Sequence, residues 1–559
     1  MALALALCAA LLGQYHIDFS HMFPSAEAER ADRAVLERDL DGLQAMRGNV
    51  TRDGDHLLRA LQLDDEVQIR ENRHAIYLYL RYAVDTRDEK SRDEREALLT
   101  EVDEKTAFLN DEILHLPDAR LAALMREQPK LTTYRYAIES IRRLTPYTLS
   151  EPEEKLLSAT APLAQNWQFD LYRALTSAQR DLFAFTLTRL ASSGNTFARL
   201  RRFGDAASES YFRRQLTRRQ VKSLLERVAA NAGVYKRYQH LRADHPANKT
   251  NPQFTIDQAR QTILAAIAPL GDDYARELRA LLDPANGRMD IAPGPNRKSG
   301  GFSQGTVGMD SVFFANGFAG SYNDMRILTH ESTHAIQRQL MNANHVPIDY
   351  TRGPNYLAEA LAIFNELLLA DFMAAHVTNS AEKQFYLEQF LDGKGMVAFY
   401  VAPEAELEEA VYDGVTADTI RTADDLDALT LRVYERYSIS PSKQKWMTIP
   451  LMYEDPFYDI NYVYGGIIAL RMYAMYTANP KAFAPKYVAM MRNGYTAPAT
   501  TLLKQFFDID LDDPLTDVVK LLDARVEQLK TEYGLFRGVP EPPQLPGIAE
   551  SASTRDRFH

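Results

Sequence analysis

Residues 330–334 read His-Glu-Ser-Thr-His, and this H-E-x-x-H pattern constrains the fold more than any other stretch of the chain. Residues four apart lie one helical turn above each other, so His330 and His334 can grip one metal ion only if the segment is helical. Glu331 then falls beside them, where a carboxylate can take a proton from a water that the metal activates. The flanking residues favour a helix. Ile327, Leu328, Ala335 and Ile336 supply apolar anchorage, and Asn323 or Asp324 can cap it.

Two imidazoles need a third ligand. An extended metzincin motif would require Gly at 337 and His at 340, but the chain has Gln337 and Leu340 there. His345 and Asp349 fall in an apparent loop between 342 and 354. Beyond it, residues 355–369 form a strongly apolar helical pattern with Asn355 as its cap, and Glu359 and Glu366 share one face with Ile363 between them. A carboxylate in such a helix is costly to bury unless a cation receives it, and a divalent metal would. Glu359 lies 29 residues after His330 (359 minus 330), a spacing that lets a second helix return antiparallel across the loop. His330, His334 and Glu359 leave one position open, which predicts a catalytic zinc site with one Zn2+ per chain and not a closed structural one.

These residues resemble the oligoendopeptidase F and thimet oligopeptidase family of zinc metallopeptidases, of gluzincin type. The resemblance rests on Asp290 with 296–302, on the motif helix, on 357–366 and on the tyrosine-rich 457–465; upstream, 134–150 with Glu153 and Glu154 looks like the family's helical N-terminal region. It implies a mainly α, two-lobed metallopeptidase with a small β-sheet beside the H-E-x-x-H helix and a deep substrate channel. It also implies short, unstructured peptides as substrates.

At 559 residues the chain exceeds one simple core, and 46% hydrophobic with 25% charged residues is ordinary for a globular protein. A net charge of −12 argues against nucleic acid as a partner, because phosphate binding needs a basic surface. Residues 1–14 form an apolar segment too short to span a bilayer; it resembles a secretory signal without a basic start or a clean cleavage site, and favours export. The only cysteine, Cys8, lies in it, which leaves the folded body without disulfides or a cysteine nucleophile. The expected organisation is this segment, an N-terminal helical region at 15–192, a catalytic zinc-peptidase domain at 193–537 and a loose, proline-rich tail at 538–559.

Helical periodicity with charged outer faces runs through 26–46, 64–85, 92–114, 131–143, 151–161, 178–192, 219–243, 256–270 and 274–282. Between Gly287 and Gly320, 288–292, 301–305 and 309–316 read as short strands separated by Gly and Pro turns. Such a sheet can pair its free edge with an extended peptide or merely brace the metal helix. The acidic run 403–409 reads as a solvated face.

Residues 446–466 concentrate Tyr453, Tyr458, Tyr462 and Tyr464. Tyr458 and Tyr462 are one turn apart, and the resemblance makes them donors to the oxyanion of a tetrahedral intermediate. Family members usually carry a histidine just ahead of these tyrosines; here 449–455 has none, and Leu451 or Tyr453 occupies the region. Ser332 and Thr333 also depart from the family's usual residues inside the motif, at positions that are not ligands.

The resulting expectation is a zinc-dependent endopeptidase. Glu331 acts as general base, Tyr458 and Tyr462 as oxyanion donors, and Glu366 as partner for a histidine N–H. Two rivals stay open: an exopeptidase releasing dipeptides from C-termini, and a zinc-containing protein that binds peptides with little activity.

Overall fold

The computed structural model describes residues 14–534, apart from 151–152, 154–155, 158–159, 161–166, 177 and 246–247. The signal-like segment with Cys8, the C-terminal tail and most of the helix expected at 151–161 lie outside these residues.

The chain opens with three packed helices, Ala26–Gln44, α1 (Gly54–Val84) and Glu89–Leu114. Ser25, Asp53 and Asp88 start them, each accepting a backbone N–H of the first turn. Their apolar stripes close two small cores, one around Leu57, Leu61, Phe108 and Ile113, the other around Leu36, Leu40, Val67 and Leu98. α1 starts ten residues before the periodicity at 64 suggests, because Asp53 caps it and Leu57, Leu58 and Leu61 already face inward. The segment 131–143 is a 3-10 helix, Pro129–Tyr134, followed by a short α-helix, Arg135–Arg142; proline sets the first conformation. The helix expected at 178–192 spans Arg180–Leu200, and 219–243 divides into Arg218–Ala230 and Gly233–Ala243 around Asn231.

The three strands fall inside the expected stretches: β1 (Met289–Asp290), β2 (Gly301–Gln304) and β3 (Val312–Ala315). Their order is β1-β3-β2, with β1 parallel and β2 antiparallel to β3, so β2 is an edge strand. One face of β2 lies on the helix that follows. A Cβ on Gly301 would stand 2.7 Å from the Ile327 side chain, too close for any residue but glycine.

That helix is α2 (Tyr322–Ala343), followed by α3 (Asn355–His376), α4 (Val397–Thr416) and, after intervening helices, α5 (Ile460–Ala478). Ser321 caps α2, and Asp324 completes a capping box with it. Asp324 therefore sits at the third helical position and not at the cap, while Asn323 instead accepts from the Arg326 guanidinium. α3 begins after Pro354 without a side-chain cap, and Asn355 is already its first residue. α3 and α5 are apolar almost all round, and both lie inside one large core that takes in Tyr15 and residues from Phe183 to Leu529. Gly465 lets them touch, since a Cβ there would meet the Tyr356 carbonyl at 3.2 Å and Glu359 Cβ at 3.3 Å.

The acidic run 403–409 is not a solvated face. It lies within α4, where Glu408 is 0% and Glu409 4% exposed. Partners from distant segments receive the carboxylates: Lys445 pairs with Glu404, Arg436 with Glu406 and Arg218 with Glu409, while Glu408 accepts the Phe457 N–H at 2.9 Å. Among the described residues, no helix is long and apolar enough to cross a membrane.

Candidate active site

α2 and α3 cross antiparallel, Arg326 meeting Glu366 and His334 meeting Glu359. A buried knot fixes the crossing. Asn365 donates to the Thr333 hydroxyl and to Tyr274, each at 2.6 Å, and Thr333 in turn donates to the Thr329 carbonyl. Thr333, which departs from the family pattern, thus joins the two helices.

Across this joint, one donor atom from each of His330, His334 and Glu359 lies within 4.8 Å of the other two. The His330 and His334 Nε2 atoms are 3.3 Å apart, and Glu359 oxygens lie 3.4 Å and 3.8 Å from them. All three side chains sit deep in the protein yet stay 13–20% open to solvent. Two neutral-capable imidazoles and one carboxylate converging from two rigid helices suit a divalent cation of the zinc kind.

Glu366, 2% exposed, places one oxygen 2.7 Å from His330 Nδ1 and the other 2.5 Å from Arg326. The Nδ1–H of His330 is thereby engaged, which leaves Nε2 directed at the cluster. Burial works against the charged form of His330, but Glu359 and Glu366 outweigh it and push its pKa up to about 10. Burial and the His330 charge push His334 down to about 3. Burial opposes the ionised Glu366, yet its bond to His330 and the nearby Lys394 and Arg326 bring it to about 2. The site is thus a packed set of charges that share protons.

Glu331, next to His330 in the chain, reaches the sheet. Ser303 on β2 donates to it at 3.1 Å, and Arg338, two turns further along α2, donates to Ser303 at 3.0 Å. Burial raises the Glu331 pKa, partly countered by His330, Ser303 and Arg338. A carboxylate raised in this way holds a proton more readily than a free one, as a general base must.

Tyr458 lies in the turn just before α5 and Tyr462 in its first turn, with ring centroids 5.6 Å apart. Both are half-buried; burial raises their pKa values, and the Glu359 charge adds to it, Tyr462 reaching about 12. The Asn355 side chain hydrogen-bonds Tyr458. Phe457, just before them, adopts a left-handed backbone at φ 64, which costs about 1–2 kcal/mol in a non-glycine residue. The Phe457 N–H bond to buried Glu408 holds this turn, and with it Tyr458. Tyr453 has a different setting. It is 0% exposed, stacks on Tyr172 at 4.6 Å and donates to the Trp446 carbonyl. Its single proton is already committed.

The sequence reading missed several neighbours: Ser303, Arg326, Arg338, Lys394 and Tyr495. Lys394 lies 5.7 Å over the Tyr462 ring, and the buried Tyr495 hydroxyl accepts from Gln337 at 3.1 Å, close enough to Arg338 and Glu359 to feel their charges. Arg326 and Arg338 were accessible in principle, since they lie four residues before His330 and four after His334. Nothing local marks Ser303, Lys394 or Tyr495.

Residues 112–179 match the family description Oligopeptidase F, and residues 284–516 match Peptidase family M3, together more than half of the chain. Oligopeptidase PepF of Bacillus subtilis is 21% identical, over 91% of this chain and 86% of its own. Group B oligopeptidase PepB of Streptococcus agalactiae is 19% identical, over 92% and 97%. Among solved structures, the oligoendopeptidase-F from Enterococcus faecium superposes with a TM-score of 0.64 at 17% identity, covering 90% of this chain and 98% of that one. A candidate peptidase from Chlamydophila abortus reaches 0.81 at 18% identity, over 93% and 98%. These structures share the helical fold, and the two matched segments contain the H-E-x-x-H helix, its acidic neighbour and the tyrosines. With that pattern in place on that fold, the chain belongs to the oligoendopeptidase F group of peptidase family M3 and is a metallo-oligopeptidase.

Proposed function

We propose that this enzyme is a zinc-dependent endopeptidase that cuts short, unstructured oligopeptides. The observation that carries the reading is the convergence of His330, His334 and Glu359 with Glu331 one residue from the first ligand. Zinc held there, one ion per chain, would polarise the scissile carbonyl and acidify a water. Glu331 accepts that water's proton and returns it to the departing amine. Ser303 holds one Glu331 oxygen, so the other stays available for the transfer. Tyr458 and Tyr462 donate to the oxygen on which negative charge grows. Glu366 keeps His330 in the tautomer whose Nε2 is free to ligate. The edge strand β2 offers backbone groups to an extended peptide, a contact indifferent to side chains.

Mass spectrometry of a peptide library digested by the zinc-loaded protein, with and without chelator, tests this. Internal cuts that vanish on chelation are expected. Cuts confined to two residues from C-termini would replace the reading with a dipeptidyl carboxypeptidase, and zinc retention without any cut would replace it with a peptide binder.

A further inference from the structure

The motif helix carries a cation, Arg338, that is no part of the metal cluster and that meets Glu331 only through Ser303 and through space. Arg338 is largely buried beside the site, and burial disfavours its charged form. Its one hydrogen bond among the described residues runs to the neutral Ser303 hydroxyl. Arg352, from the loop joining α2 to α3, is near enough for its charge to act on Arg338 as well. It too is held by a neutral oxygen, the Asn72 amide of α1, at 2.5 Å. Glu71 feels the Arg352 charge, but among the described residues neither guanidinium forms an ion pair with a carboxylate.

Neutral acceptors orient a guanidinium without neutralising it. Arg338, held in this way in a largely buried place and repelled by the exposed Arg352, gains most when an anion enters beside it. Their place fits a peptide. Arg338 reaches Ser303 at 3.0 Å and Ser303 reaches Glu331 at 3.1 Å, so the guanidinium lies within about 6 Å of the base. Extended peptide advances about 3.3 Å per residue, which puts the guanidinium one or two residues from a bond cut beside Glu331.

We infer that Arg338 and Arg352 form a subsite for a carboxylate of the peptide substrate, one or two residues from the scissile bond. This rests on the peptidase reading above and adds a substrate class to it. The carboxylate can be an Asp or Glu side chain or the peptide's own C-terminal carboxyl. The competing account gives Arg338 a single task, neutralising Glu331 through Ser303, and predicts no preference among peptides.

The test uses the full-length zinc enzyme and one cleavable peptide in three forms: neutral with an amidated end, with Glu replacing Gln within two residues of the cut, and with a free C-terminal acid. The parent should cleave one acidic form about ten- to a hundredfold better in kcat/KM than the neutral form, the worth of one charge-assisted pair. Arg338→Met should abolish that ratio, and Arg352→Gln should reduce it. A preference for the Glu form assigns the subsite to a side chain, and one for the free acid assigns it to the C-terminus. Equal rates for all three forms in the parent, or an unchanged ratio in Arg338→Met, overturn the inference. Competition binding of the same peptides to zinc-loaded Glu331→Gln separates the two readings. If the parent cleaves nothing but the acidic peptide still binds tenfold better, and Arg338→Met removes that advantage, the subsite stands and the endopeptidase reading fails.

Discussion

Replacing Glu366 with glutamine tests how far the metal cluster depends on a residue that does not touch the metal. The Glu366 carboxylate serves two donors at once, His330 Nδ1 at 2.7 Å and Arg326 at 2.5 Å, and its side chain is 2% exposed. Glutamine keeps the shape but offers one acceptor oxygen, and its amide N–H must face a donor. The loss of a buried, charge-assisted bond costs roughly 1.5–3 kcal/mol. Because that bond sets the ring angle and tautomer of His330, the loss should appear in metal affinity as a weakening of about 10–100-fold. The assay is competition for zinc between the apo protein and a chromophoric chelator, with thermal melting to show that the fold persists. Arg326→Met is the control: it leaves the bond from His330 to Glu366 in place and should stay within about threefold of the parent, well below the loss expected for that bond. Parental zinc affinity in Glu366→Gln would show that the histidine is oriented by something else and would refute the reasoning.

Other expectations follow from the same geometry. Tyr458→Phe or Tyr462→Phe should lower kcat by about 10²–10³ with little change in KM, the cost of one oxyanion donor, whereas Tyr453→Phe, whose hydroxyl serves Trp446, should match the parent. Gly465→Ala places a methyl 3.2 Å from the Tyr356 carbonyl and 3.3 Å from Glu359 Cβ. It should destabilise the fold by about 1–3 kcal/mol and weaken zinc binding together, and a variant melting and loading like the parent would show that α3 and α5 do not need the contact. Asp65 on α1 is held up to about 7 by burial, with Asp349 and Asp64 adding to it against the Tyr134 hydrogen bond. A carboxyl raised on folding stabilises the fold fully below its unfolded pKa near 4 and loses that contribution as pH rises through about 7. Asp65→Asn should therefore flatten the fall of melting temperature between pH 5 and 8, and a parallel pH curve would exclude this group.

The clustering of His330, His334 and Glu359 is legible in the sequence because helix geometry favours it: residues four apart share a face, and a carboxylate recurs on the next apolar helix. The strands at 289–290, 301–304 and 312–315 are legible because Gly and Pro turns punctuate that stretch into short segments. What escapes is whatever depends on partners remote in the chain. Glu408 and Glu409 look like solvated charge because composition cannot see Arg218 or the Phe457 amide arriving from elsewhere. Ser303 reads only as one residue of a short strand, and only the fold puts it between Glu331 and Arg338. Thr333 looks like a harmless departure until Asn365 is found bonded to it. The expected caps of α2, Asn323 or Asp324, fall two or three residues after Ser321, since Ser321 and Asp324 act as a pair and neither alone identifies the boundary.

The most direct test of the account is peptide turnover by zinc-loaded Glu331→Gln. Glutamine preserves the size of the side chain and can still receive the Ser303 hydrogen bond, but it cannot accept a proton. Zinc content should remain at the parental level while kcat falls by about 10²–10⁴, the worth of a positioned general base. Parental turnover in that variant, with zinc in place, would contradict the account.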